Sequence, residues 1–299
     1  MGEVPTDLPE AAVRRFSEGA FTSGLSVPDF AACLQMGLEP VGYVQGFCVM
    51  QWQFYGMGMQ LGGYGRQYGG STGGYSESYQ CPHGMVSAEH RAWGQNYEQT
   101  WVESAWSEGF NSACSRMVGE AASVGAHGIV GFVDNSQPLG DTGLLEFRAQ
   151  GTAVRITDGA RPPGGEPWTT YLAGQRLAKL VEAGYAPVSI AASVASVRVW
   201  ANCVTENLTE GSNSMYSYAQ PGSEIEQTVK AHSAVRRLAR QRVRDQLGKD
   251  SLHGATMLTT TRELGQGDAE LQCILRGNRV RRFKEFDPMP PPTPTVRLL

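Results

Sequence analysis

Two stretches of this chain repeat each other, and that repeat constrains the fold more than any other feature. Phe21-Thr-Ser-Gly-Leu25 aligns with Trp168-Thr-Thr-Tyr-Leu172. The run from Phe30 to Val41 aligns with the run from Leu177 to Val188, and both matches lie at an offset of 147 residues. Farther on, Ala126-His127-Gly128 aligns with Leu252-His253-Gly254, and Gly151-Thr-Ala-Val154 with Gly277-Asn-Arg-Val280, both at 126. A repeat of this kind means that one supersecondary unit is built twice. The offsets differ by 21, so copy one carries an insertion between its blocks. Residues 56–74 are its visible part, and nine of them are glycine. Such a stretch buries too little apolar surface to order itself. It reads as a solvated insertion or as a Gly/Tyr-rich loop that contacts a partner.

Each copy reads as the same string of elements. A short amphipathic helix comes first, with Phe30, Cys33 and Leu34 on its apolar face in copy one and Leu177, Leu180 and Val181 in copy two. Gly37 with Pro40, and Gly184 with Pro187, stop it. An apolar strand follows (41–55 or 188–200), then a loop, then a long helix (97–124 or 224–249). A short strand (128–133 or 255–260) leads through a turn at Asp134-Asn135 and Pro138-Leu139-Gly140 into a last strand (144–156 or 271–283). The expected fold class is α+β, as two tandem β-α-β-β domains. Each has a three-stranded antiparallel sheet, one long helix and a short preceding helix. The expected boundaries are a flexible segment 1–20, a first domain 21–157 and a linker 158–167. A second domain 168–286 and a Pro-rich tail 287–299 follow.

One helix cannot hide such a sheet. Val41, Tyr43, Val44, Phe47, Val49 and Met50 make the first strand apolar almost throughout, the mark of a strand covered on both faces. A three-stranded sheet under one helix leaves a face and two edges open. At roughly 25 cal/mol per Å² the wet apolar side chains would cost several kcal/mol. The second face must therefore meet the other copy or another chain.

The run from Met117 to Phe132, a helix ending in Gly125-Ala126-His127-Gly128 before an apolar strand, resembles the central pattern of the YbjQ-type heavy-metal-binding family. Gly151-Thr152-Ala153-Val154 resembles that family's terminal motif. Copy two is a diverged version. The resemblance implies a dodecin-like subunit and ring-shaped homo-oligomers, with a pentamer favoured: five chains and ten domains.

The candidate metal ligands are Cys81, His83 and His90, soft or borderline donors suited to zinc or copper. Copy two has no equivalent cluster, and the alternative is a structural loop. Cys33 and Cys273 align with Leu180 and Phe147 and behave as apolar core. His127 and His253 align at the helix-to-strand turn, where a histidine commonly satisfies terminal carbonyls. No Gly-x-Ser-x-Gly elbow, phosphate-cradling loop or Cys-x-x-Cys pair is found, so no catalytic residue is assigned and the protein is expected not to be an enzyme.

Charge separates the copies. Residues 1–165 hold 8 basic and 16 acidic side chains; residues 166–299 hold 17 and 13. Arg236, Arg240, Arg244, Arg281 and Arg282 are the candidate partner- or anion-binding residues. They read as a solvated face, or as a match to the acidic copy of a neighbouring chain. Nucleic acid is disfavoured, because stacking aromatics are missing from the cluster. No apolar run spans a membrane and no signal-peptide pattern begins the chain, so a cytoplasmic setting is expected. The reading that follows is a non-enzymatic, ring-forming assembly or binding protein. Its alternatives are a heavy-metal-binding protein and an arginine-mediated adaptor for nucleic acid or a partner, in which the Gly-rich loop or the Pro-rich tail contacts another protein.

Overall fold

The computed structural model describes residues 22–51, 79–81, 84–86, 94–139, 144–157, 166–210, 222, 224–265 and 267–285. The Gly-rich stretch 56–74, the N-terminal segment, most of the linker and the Pro-rich tail lie outside them.

Copy one opens with helix α1 (Val27–Gln35). Ser26 caps it by accepting from the Asp29 amide at 3.3 Å, and Pro28 sits in its first turn. Strand β1 (Leu38–Gln51) follows. A small hairpin of β2 (Tyr79–Cys81) and β3 (Gly84–Val86) and a short β4 (Asn96–Glu98) precede helix α2 (Thr100–Ser123). Strands β5 (Gly128–Pro138) and β6 (Leu144–Ile156) close the copy. Copy two runs β7 (Trp168–Thr169), α3 (Gly174–Glu182), β8 (Tyr185–Val199), α4 (Cys203–Glu210), α5 (Glu226–Leu247), β9 (Ser251–Gly265) and β10 (Asp268–Arg282). Helix α4 occupies part of the stretch read from sequence as loop, and Asp134-Asn135 continue β5 instead of turning.

Both long helices cross their sheets in the same way. A Cβ on Gly46 would lie 1.9 Å from the Ala113 carbonyl oxygen, so α2 rests directly on β1. Ser193 holds the matching place on β8, and its hydroxyl donates to the Ala239 carbonyl at 3.0 Å. Arg116 donates to the Phe47 carbonyl as Arg242 does to that of Val194. These pairs keep the offsets of 147 and 126 read from the sequence.

The sheets have four strands each, not three. Sheet one has the order β1-β6-β5-β7 and sheet two the order β4-β8-β10-β9. Each fourth strand comes from the other copy: β7 pairs in parallel with β5, and β4 pairs antiparallel with β8. The layers stack as sheet one, α2, sheet two and α5. Val194, Ile190 and Ile274 of sheet two join the core beneath α2, whereas Ala195, Val197 and Leu271 face α5. Sheet two is thus covered on both faces, and the other copy supplies the second cover. A third cluster joins Cys33 and Leu38 to Leu177, Leu180 and Val280 across the two short helices.

One equivalence read from the sequence is corrected by the register. Val130 faces Thr152 in copy one, and His253 faces Asn278 in copy two. Thr152 and Asn278 match at 126, so His253 matches Val130 and not His127. Gly131 (φ 61°) then matches Gly254 (φ 64°), both at a bulge that needs the left-handed conformation. His127 instead accepts from the Ile156 amide through Nδ1 at 2.9 Å, and its place in copy two is held by Asp250. Copy two lacks three residues between helix and strand, and the shared His-Gly dipeptide hid this.

The helix crossing predicts two opposite outcomes. Gly46→Ala forces backbone apart and lowers stability by about 2 kcal/mol or more. Gly119→Ala has nothing within 4 Å of its new methyl group and raises stability by about 0.5–1 kcal/mol. Urea midpoints at unchanged slope report both.

Candidate assembly interface

The seam between the copies is built on the segment 168–172, which starts with β7. Its backbone runs along the outer edge of β5. The Trp168 amide donates to the His127 carbonyl at 3.2 Å and the Thr170 amide to Ile129 at 2.9 Å. In return the Phe132 amide donates to the Thr170 carbonyl at 2.9 Å and the Gly131 amide to Leu172 at 3.0 Å. Gly131 and Phe132 can do this because the β5–β6 register steps from Val130 to Val133 and leaves both amides out of the ladder. The bulge is a docking device for a strand.

Copy two holds the other side of the same segment. Asn278, 1% exposed, accepts from the Thr170 hydroxyl and from the Tyr171 amide, each at 2.8 Å. Its own amide donates to the His253 carbonyl at 3.2 Å. The Tyr171 hydroxyl donates to Asp134 at 3.0 Å, and Arg276 donates to the same carboxylate at 2.6 Å. Burial, joined by the Asp134 charge, pushes the Tyr171 phenol far above its ordinary value, so it stays a neutral donor. The Phe132 and Tyr171 rings meet edge to face at 5.0 Å.

Two further contacts tie the copies. Arg242 on α5 reaches Glu98 and Glu103 of copy one. Helices α1 and α3 lie so close that a Cβ on Gly174 would fall 2.0 Å from the Asp29 carbonyl oxygen, and the Gln175 amide donates to the Asp29 carboxylate at 3.1 Å.

Copy one keeps its own version of the segment, 22–25. The Gly24 amide donates to the Thr152 hydroxyl at 3.1 Å, with the Ser23 hydroxyl 3.5 Å from the same oxygen. These match Tyr171 and Thr170 on Asn278, residue for residue. Among the described residues no strand lies beside β9 on the side matching the β5 edge that β7 covers. Twelve of its fifteen residues are exposed, Met257 and Leu258 among them. On the outer face of sheet one, Phe47, Val49 and Val133 are about half exposed.

The arginines divide into two groups. Arg281 and Arg279 both bind Asp250, at 2.8 and 2.5 Å, and Arg282 donates to the Lys284 carbonyl at 3.2 Å. Arg236, Arg240 and Arg244 are exposed on α5. They stand where α2 has Phe110, Cys114 and Val118; Cys114 and Val118 pack in the layer between the sheets. The row is therefore the outward side of the helix, which no second sheet covers among the described residues. Of the candidate metal ligands, Cys81 falls in β2, and His83 and His90 lie outside the described residues. Among the described residues no three His, Cys, Asp or Glu side chains gather as a metal site. Desolvation pushes the Cys114 thiol up to about 12 and the Cys33 thiol to about 11, consistent with the core role read for Cys33.

The sequence reading missed Asn278, Thr170, Tyr171 and Asp134. The available signal was the matched pair Thr152 and Asn278, a short polar side chain kept inside an otherwise apolar strand.

An encapsulin nanocompartment protein of Mycobacterium tuberculosis is 30% identical to this chain over 255 residues, which is 83% of the chain and 81% of that protein. No family profile matches the chain, and no solved structure matches it. The resemblance to the YbjQ-type family is thereby overturned: its profile does not match, and the relative found over most of the chain carries another name. The residues that carried it are those any helix-to-strand unit needs. Gly125, at φ 69°, ends the helix, and apolar residues open the strand. The pattern is geometric and marks no lineage. Among the described residues no helix is long and apolar enough to cross a membrane.

Two outcomes test the seam. Asn278→Ala leaves two buried donors without an acceptor and costs at least about 2 kcal/mol, read as a lower urea midpoint. Hydrogen bonds from Arg281 and then Arg279 hold the Asp250 carboxyl below its ordinary range. That stabilisation is complete above the unfolded value of about 3.9 and is lost as pH falls through the lower folded one. Asp250→Asn therefore differs from the parent by a constant amount at neutral pH, and the gap closes below about pH 4 in acid-unfolding curves.

Proposed function

The chain belongs to the family of that encapsulin nanocompartment protein, and on this premise we propose that it is a self-assembling building block whose copies join head to tail into a closed ring. It is an assembly protein and not an enzyme. The observation that carries the ring is β9, a fifteen-residue strand at the edge of sheet two with no strand beside it among the described residues. A long open edge is a pairing template that soluble proteins otherwise blunt or cover. The half-exposed Phe47, Val49 and Val133 on sheet one support the reading, because the corresponding face of sheet two is buried under a helix.

A ring follows from the form of the contact. The surface that copy one offers to copy two differs from the surface it receives, so the contact is heterologous, and heterologous contacts close into rings when the rotation permits. The preference for five chains came with the overturned resemblance and is withdrawn with it. Cys33, Cys48, Cys114 and Cys273 are free thiols, which fits a reducing compartment such as the cytoplasm. The arginine reading that fits best is contact with another copy. Arg242, Arg276, Arg279 and Arg281 are already engaged by carboxylates of this chain, which weakens a phosphate-binding surface.

Native mass spectrometry at micromolar concentration tests the reading. Whole multiples of the 32.3 kDa chain, with one multiple dominant, are expected, and that multiple is the ring order. A persistent single-chain species overturns it.

A further inference from the structure

We infer that the open edge of β9 is the receptor for residues 22–25 of a second copy of this chain, and that the bulge at Gly254-Ala255 is its docking point. The inference rests on the self-assembly reading and names the contact that would carry it.

The chain already contains one example of the contact. Segment 168–172 hangs from Asn278 of its own copy and lays its other side along β5, where the bulge amides of Gly131 and Phe132 receive it. Every part recurs in the second set. Gly24 hangs from Thr152 as Tyr171 does from Asn278. Gly254 has the φ of Gly131, and the β9–β10 register steps from His253 to Thr256, past Gly254 and Ala255, as β5–β6 steps past Gly131 and Phe132. Leu252 presses on Gly277 as Ile129 presses on Gly151. Both bulge residues are exposed. Two halves of an interface are therefore present, one at each end of the chain, and each has the geometry that its counterpart shows when joined.

They do not meet within one molecule. Were the copies related by a two-fold axis, residues 22–25 would reach β9 of the same chain as residues 168–172 reach β5. Instead β9 stands open among the described residues, so the relation between copies is a step that continues into the next chain. Carrying that step forward gives the bonds. The Ser23 amide donates to the Leu252 carbonyl of the next copy, its Ala255 amide donates to the Ser23 carbonyl, and its Gly254 amide donates to the Leu25 carbonyl. The same step lays the outward face of α5, with Arg236, Arg240 and Arg244, over the open face of sheet one. That face holds Phe47 and Val49, and it belongs to the copy whose net charge is acidic.

The test compares Ser23→Pro with Ser23→Ala in the full chain. Proline removes the amide donor from a segment that is in no ladder among the described residues; alanine keeps that amide and removes the hydroxyl, which contacts Thr152 and accepts from the Leu25 amide at 3.1 Å. Native mass spectrometry should show Ser23→Ala assembled like the parent and Ser23→Pro reduced at least tenfold in the assembled fraction, with far-UV circular dichroism unchanged. Amide exchange supplies the location. Gly254 and Ala255 should be protected in the assembled parent and exchange at least tenfold faster in Ser23→Pro. A parent that assembles while Ser23→Pro assembles equally well, or while both amides exchange freely, overturns this contact and leaves self-assembly standing. A parent that stays a single chain removes self-assembly and the contact together.

Discussion

The structure depends on how one five-residue segment is held from both sides. Segment 168–172 belongs to copy two by sequence, and Asn278 fastens it there through two hydrogen bonds in a site closed to water. Its backbone nevertheless completes the sheet of copy one, on amides that a bulge has turned outward. Neither copy is finished without it. A buried asparagine in a core strand is costly unless its polar atoms are satisfied, and here both its oxygen and its nitrogen are engaged. The polar atoms position the strand, and the surrounding apolar residues make that position rigid.

From this seam the layering follows. Once copy two is pinned to the edge of β5, its sheet lies over the free side of α2. That helix then has two sheets to satisfy and is apolar on both sides, from Trp106 and Met117 to Cys114 and Val118. Helix α5 comes from the same repeated unit but, among the described residues, packs on only one sheet. Its second side is arginine. The contrast between the two helices records which layers end at solvent in a single chain. Asp134 gains its two partners, Tyr171 and Arg276, only because the layers are stacked this way.

The arrangement is open-ended. Each copy offers an extended segment on one side and a bulged edge on the other, and among the described residues of one chain only one such pairing is made. Soluble proteins rarely leave a long strand edge bare, and the chain belongs to the family of an encapsulin nanocompartment protein. The half-exposed side chains on sheet one and the arginine row on α5 belong to the same unfinished boundary.

The element order was readable from sequence because it depends on local signals. Glycine and proline stop the short helices, apolar residues recur at helical spacing through Met117, and the two copies repeat these signs at fixed offsets. The second cover expected from the apolar content of β1 is found on sheet two, whereas on β1 itself Phe47 and Val49 stay half exposed in the single chain. The four-stranded sheets were not readable, because β4 and β7 are too short to announce themselves and take their partners from the other copy. His127 and His253 seemed equivalent because an alignment compares letters; the ladder compares hydrogen bonds, and it matched Gly131 with Gly254. Which copy supplies the cover, which edge is closed and which is left open depend on contacts between residues over a hundred positions apart. Such contacts leave no mark on local composition, so only the tertiary structure could decide them.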